Sequence, residues 1–298
     1  MQSKKTFRPV VSGIEKLLYK DFPVLDHGFI RVIDYMGDDQ SVVQAARVSY
    51  GKGTKKVSED RGLIRYLMRH RHSTPFEMCE IKLHVKLPIF VARQWIRHRT
   101  ASINEYSARY SVLDKEFYIP SEKNLAIQSN INKQGRGKVL SKNRSQEALK
   151  MLKDDAQKTY QTYEYLLNET NEGKIINKNK EGLTRELARI NLTLNTYTQW
   201  YWKTNLHNLM NFIQLRADDH AQYEIRVYAK IIFDIMKKWV PLTSEAFKSY
   251  RSGSVELSSE ALEVIRALIS GKKVSHKDSN LSAREWRELM AVLNIKDT

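Results

Sequence analysis

The chain has 298 residues, with 50 Lys and Arg against 34 Asp and Glu, a formal net charge of +16 with histidine neutral. At 41% hydrophobic and 28% charged residues it reads as a globular protein rather than a disordered one. One cysteine excludes an intrachain disulfide framework and a cysteine-based zinc site, no apolar run approaches the ~18 residues of a membrane span, and MQSKKTFRPV has no apolar core to make a signal peptide, so the default location is the cytoplasm.

Gly28–Met36 (GFIRVIDYM) reads as a strand stopped by Gly37, and Asp38 or Asp39 suits the N-cap of a helix over Ser41–Ser49. A second helix is expected over Glu59–Arg71. Glu80–Leu87 alternates strictly, with Ile81, Leu83, Val85 and Leu87 facing one way and Glu80, Lys82, His84 and Lys86 the other, the pattern of a half-buried strand. Cys79 is in phase with the apolar side and reads as a buried, inert thiol. Pro88 suits a first helical position, followed by a helix over Ile89–Arg97. The polar stretch 100–110 reads as a loop and Tyr110–Ile119 as a further strand stopped by Pro120.

Residues 121–144 are polar, glycine-containing and basic, and read as a long loop. An amphipathic helix is expected over Gln146–Asn171, a short one over Glu181–Ile190, a strand or helix entry over Leu192–Trp202, and a short helix over Asn205–Gln214. Asp218–Val240 carries the clearest helical pattern, with Ala221, Ile225, Tyr228, Ile232, Ile235 and Trp239 on one stripe before Pro241. Two more helices are expected over Ser258–Ile269 and Ser282–Leu293, the second opening on the capping-box pair Ser282 and Glu285. Strands come early and helices later, without βαβ alternation. The expected class is α+β, a mostly antiparallel sheet flanked by helices with a helix-rich second half. The expected division is a catalytic domain over 1–250 and a helical C-terminal extension over 251–298.

Three constellations concentrate chemistry. The first runs from Gln94-Trp95-Ile96-Arg97-His98-Arg99 into TASINEYSARY and gathers arginines, His98, Glu105 and serines at a helix end, the rigid guanidinium forks suiting phosphate or carboxylate. A surface helix end with salt bridges has the same composition. The second is Leu215-Arg216-Ala217-Asp218-Asp219-His220-Ala221-Gln222-Tyr223-Glu224, where Arg216 is placed just before a helix N-terminus, a location suited to an anion, and Asp218 serves as a possible cap. The third is the turn Arg71-His72-Ser73-Thr74-Pro75-Phe76-Glu77. No HExxH, His-x-x-x-His or cysteine pair marks a metal site, and no GxGxxG or Walker A sequence marks a nucleotide loop. The +16 charge and 15 tyrosines also fit a nucleic-acid-binding protein, whose binding would weaken steeply with salt.

Taken together, the three segments resemble the flavin-dependent thymidylate synthase family. Arg97-His98-Arg99, seven residues, then Ser107 matches that family's signature, as do STPFE at 73–77, ARVSY at 46–50 and LRADDHAQ at 215–222. The resemblance covers roughly residues 28–250 and implies conversion of dUMP to dTMP, with 5,10-methylenetetrahydrofolate as carbon donor and FAD, reduced by NADPH, as hydride source. It implies a homotetramer with sites shared between subunits, with no nucleic-acid partner and no membrane. Carried over residue by residue, it gives dUMP to Gln94, Trp95, Ile96, Arg97, Glu105, Tyr106, Ser107, Ala108 and Arg109, with Arg189 and Arg216. FAD goes to Thr74, Arg97, His98, Arg99, Glu105, Asn205, Leu206, His207 and Asn211. Arg216 would polarise the uracil and His72 would lie against flavin and folate. His207 stands where the family pattern leads one to expect a more basic residue. The single cysteine is consistent with a chemistry that needs no cysteine nucleophile.

Overall fold

The computed structural model describes residues 8–48, 57–129 and 135–295. Seven strands are present among them: β1 (Asp21–Val24), β2 (Gly28–Met36), β3 (Glu80–Pro88), β4 (Ser102–Glu105), β5 (Ala126–Gln128), β6 (Arg136–Val139) and β7 (Tyr197–Asn205). The main sheet runs β1-β2-β3-β7-β4 with every neighbour antiparallel, and β5 pairs with β6 as a separate antiparallel ribbon. Helices are α1 (Ser12–Glu15), α2 (Asp39–Val48), α3 (Val57–Arg69), α4 (Thr74–Glu77), α5 (Ile89–Trp95), α6 (Lys142–Leu167), α7 (Arg185–Ala188), α8 (Leu206–Arg216), α9 (Tyr223–Trp239), α10 (Pro241–Phe247), α11 (Ser259–Ile269) and α12 (Ala283–Val292). The protein is α+β, with its helices concentrated after the sheet's first strands.

The alternation in β3 becomes a two-sided sheet. Ile81, Leu83, Val85 and Leu87 are buried, and in register they face Thr204, Trp202, Trp200 and Thr198 of β7. Trp95 fills the space over these indoles, 5.8 Å from the Trp200 ring and 5.3 Å from Trp202, and stacks on Phe212 of α8 at 4.5 Å. Burying side chains of this size contributes roughly 1.5–3 kcal/mol each, so the strand–helix contact behind the site is secured chiefly by its aromatic core. A bulge between Val32 and Asp34 of β2 shifts the phase, so that Tyr35, not Asp34, joins the buried side.

Local signals explain most of the boundaries. Asp38 caps α2, accepting from the Ser41 N–H at 2.8 Å. Asp39 does something different: it is buried and accepts from the backbone N–H groups of Leu242 and Thr243 at 2.8 and 2.9 Å, capping α10 far along the chain. Gly37 has φ +83° and gives its carbonyl to the Trp239 indole at 2.8 Å. Contacts divide the chain into Met1–Ser252 and Gly253–Thr298. The second unit builds its own small core from Ala261, Val264, Leu281, Trp286, Leu289 and Met290, and the Ser282–Glu285 capping box forms.

Several expectations need correction. The stretch 100–110 is not all loop: Ser102–Glu105 is an edge strand, because β7 offers it a ladder. Tyr110–Ile119 is not a strand and makes a single bridge, Phe117 with Thr196. Residues 121–144 contain the β5–β6 ribbon and the start of α6, not an unstructured loop. Pro88 closes β3 and caps α5 rather than opening it. The long helix α9 starts at Tyr223, with Gln222 as its cap, so Asp218 lies outside it and instead holds the His220 N–H at 2.8 Å. Arg216 therefore ends α8, where a cation complements the helix dipole, instead of preceding a helix N-terminus. Ser49 and Tyr50 of ARVSY, and residues 130–134, lie outside the described residues.

Candidate active site

The edge strand β4 is the foundation of the site. Its register, Ser102 with Lys203 through Glu105 with Trp200, continues in the Tyr106 N–H bond to the Gln199 carbonyl at 2.8 Å. This pairing delivers Glu105 to Thr198, whose buried hydroxyl donates to Glu105 Oε1 at 2.8 Å. The chain then turns tightly, with Ser107 Oγ accepting from the Arg109 N–H at 3.2 Å, and Tyr106 Oη fastening to the Val112 carbonyl at 3.1 Å. A cavity of about 430 Å³ opens here, lined by Ile89, Leu113, Thr198 and the runs 105–108 and 192–194, with Arg189. Five of the residues assigned to dUMP by resemblance, Glu105, Tyr106, Ser107, Ala108 and Arg189, thus share one wall. Arg189 belongs to the same chain as this wall, its Nε giving a hydrogen bond to the Glu186 carbonyl at 3.3 Å. Arg109 is exposed and paired with Glu186 at 3.0 Å.

A second group forms where α5 and α8 end together. The Arg216 Nε–H donates to His98 Nε2 at 2.9 Å, and the His98 ring meets Phe212 edge-on at 5.0 Å. Burial, and next the Arg216 charge, push the His98 imidazole down to about 4. At neutral pH it is therefore an uncharged acceptor with its proton on Nδ1, and it holds one edge of the Arg216 guanidinium while leaving the other nitrogens for a ligand. Burial lowers Arg216 from its ordinary value. Arg97 and Arg99 flank this pair, both exposed, and neither makes an ion pair among the described residues. Two such guanidinium groups beside a neutral imidazole make a donor set that fits a phosphate-bearing cofactor or substrate.

The remaining assigned residues are spread more widely. Thr74 opens α4 and is exposed, and His72 sits in the exposed turn before it, 6.0 Å from the Tyr66 ring. Asn205 caps α8, accepting from the Asn208 N–H. His207 and Asn211 contact each other at 3.3 Å on α8, and burial lowers the His207 imidazole from its ordinary value. Leu206 and Trp95 have fully buried side chains, Ile96 is half exposed, and Gln94 donates to Gln222 Oε1. The sequence reading missed Thr198, the partner of Glu105, and Thr193, whose buried Oγ1 has no partner among the described residues and belongs to the cavity wall. The only available signal for Thr198 was its alternation with Trp200 and Trp202. Burial raises the Cys79 thiol to about 12, and its Sγ points to the Asp38 carbonyl.

Comparison with known proteins places the chain in a family. The Thy1 family, described as thymidylate synthase complementing protein, matches residues 31–242. The flavin-dependent thymidylate synthase of Gluconobacter oxydans (strain 621H) is 62% identical over 97% of this chain and 92% of its own, and that of Rickettsia bellii (strain RML369-C) is 60% identical over 97% and 98%. The crystal structure of a UMP/dUMP methylase, PolB from Streptomyces cacaoi bound with 5-Br UMP, superposes with a TM-score of 0.67 at 32% identity, covering 77% of this chain and 97% of that one. The chain belongs to the Thy1 family, the flavin-dependent thymidylate synthases.

Proposed function

We propose that this chain methylates dUMP to dTMP, with 5,10-methylenetetrahydrofolate as the carbon donor and NADPH as the source of reducing equivalents. The observation that carries the reading is the wall shared by Glu105, Tyr106, Ser107, Ala108 and Arg189, in a chain whose relatives are named for this activity. In this reading the cavity receives the nucleotide. Arg189 and Arg109 supply positive charge for its phosphate, Ser107 and the backbone beside it supply short polar contacts, and Gln94, Ile96 and Arg97 complete the rim, with Trp95 supporting them from the core. Arg216, held through its Nε by neutral His98, presents its free N–H groups to the uracil oxygens and stabilises charge that develops as the ring becomes nucleophilic.

FAD supplies the hydride when bound, and Thr74, Arg97, His98, Arg99, Glu105, Asn205, Leu206, His207 and Asn211 would hold it, with His72 beside it and the folate. Cys79 takes no part: a buried thiol raised to about 12 is not a nucleophile at neutral pH. In a homotetramer with sites shared between subunits, Arg216 would act on a neighbouring subunit's dUMP, and the cytoplasm would be its compartment.

The test is an absorbance spectrum of the purified protein followed by an assay. A flavin band bleached by NADPH and shifted by dUMP, with dTMP formed on adding the folate, is the expected result. A colourless protein that takes up no FAD and forms no dTMP defeats the reading. UMP offered in place of dUMP measures how far this cavity discriminates the ribose.

A further inference from the structure

The ribbon β5–β6 inside the basic stretch 121–144 has no place in the reading above, yet it ends on a buried carboxylate. Glu224, in the first turn of α9, is 5% exposed. A buried carboxylate must be met by donors, and three converge on it. Arg136 of β6 brings its Nη2 to Oε1 at 3.1 Å and Oε2 at 3.2 Å, with the guanidinium lying over the Tyr223 ring at 5.4 Å. Tyr118 donates its hydroxyl to Oε1 at 3.1 Å, and its carbonyl receives the Asn195 side-chain amide at 3.0 Å. Gln222 donates Nε2 to Oε2 at 2.9 Å.

The direction of these bonds matters. An ionised carboxylate accepts only, so Gln222 must turn its NH2 toward Glu224 and its oxygen the other way. That oxygen receives Gln94 Nε2. Gln94 thereby spends its NH2 on Gln222, and its own Oε1 is left as an acceptor for another group. Without the carboxylate, both amides are free to flip, since oxygen and NH2 have nearly the same shape.

We propose that Glu224, clamped by Arg136 from the β5–β6 ribbon, is a positioning residue that fixes the amide orientation of Gln94 through Gln222, so that Gln94 offers a carbonyl oxygen to an N–H or O–H of the bound nucleotide. The proposal rests on the dUMP reading and adds to it a function for the β5–β6 ribbon, which acts as a strut and need not touch substrate. Glu224 itself reaches substrate only through Gln222 and Gln94.

The experiment measures dUMP affinity by titrating the FAD-loaded enzyme and following the flavin absorbance shift, with FAD affinity and melting temperature recorded in parallel. Glu224→Gln and Arg136→Ala are each expected to raise the dUMP Kd roughly three- to ten-fold while FAD affinity is unchanged. In a Gln94→Ala background the same two substitutions are expected to add nothing further, because the orientation they disturb no longer exists. In Arg136→Ala the Tyr118 hydroxyl and the Gln222 amide still meet the carboxylate, and the melting temperature separates a local loss from unfolding. Independent, multiplying losses in the Gln94→Ala background, or an unchanged dUMP Kd in Arg136→Ala, overturn the strut alone. A wild-type enzyme that loads FAD but binds no dUMP overturns the nucleotide reading and the strut's role with it.

Discussion

The cavity wall and the His98–Arg216 pair are held in different ways. Glu105 and Tyr106 are fixed by a backbone ladder to β7, and their position depends on the whole sheet. Arg216 has its guanidinium fixed by one hydrogen bond to one imidazole, at the meeting of two helix ends. The first arrangement tolerates loss of a side-chain contact because the main chain remains. The second concentrates its geometry in a single group whose protonation decides whether it can accept at all. In the proposed reading, nucleotide binding would rest on the part held by the ladder, and the charge that steers the chemistry on the part held by one side-chain contact.

Arg216→Ala breaks the weaker half outright. We expect turnover to fall by about 100-fold or more, the scale of removing one preorganised donor to developing charge, while the flavin band of the purified protein persists. Full turnover in that variant would remove Arg216 from the mechanism. A milder way to disturb the same pair is acid. The folded His98 imidazole lies at about 4 against an ordinary 6.5, so the unfolded chain takes up a proton that the folded chain resists. Stability from this group is complete above pH 6.5 and drains away as the pH falls toward 4. Thermal melting of wild type should decline more steeply across that window than melting of His98→Gln. Parallel curves would show that His98 is not held neutral.

The two halves leave unequal marks in the sequence. Strands β2 and β3 announce themselves because their alternation is the imprint of one buried face. The run SINE carries no such imprint: Ser102 and Asn104 are exposed, and the segment is a strand only because β7 borders it. The Tyr110–Ile119 run shows the opposite failure, since its aromatic and apolar residues are spent packing on Tyr160 and Phe90 and gain no ladder beyond one bridge. Among the candidate residues, Glu105 to Ala108 are adjacent in sequence and share one wall in the structure. The contact of His98 with Arg216, separated by 118 positions, leaves no mark in the sequence, because the apolar stripe of α9 continues back to Ala221 while the helix itself opens at Tyr223 and Arg216 ends α8.

Thr198→Val tests the robust half. Removing the hydroxyl that meets Glu105 should cost about 1 kcal/mol of stability, with a few-fold rise in dUMP Kd, measured by denaturant unfolding and by titration. A collapse of binding would mean that the wall depends on this side chain more than on its ladder. Smallest of all, Cys79→Ser should leave dTMP formation measurable and near wild type, because that thiol is buried and protonated. A folded variant without chemistry would revive a cysteine mechanism.

Asp39 carries a consequence for where this protein may be cut. The stretch recognised by likeness to the family stops at residue 242, but the carboxylate near the start of α2 finds its donors on Leu242 and Thr243. A fragment trimmed to that stretch would lose both Thr243 donors to this buried carboxylate, keeping only the Leu242 N–H, and would also forfeit Phe247 from the core. Expression boundaries should therefore run past α10, beyond the end of the stretch that matches the family.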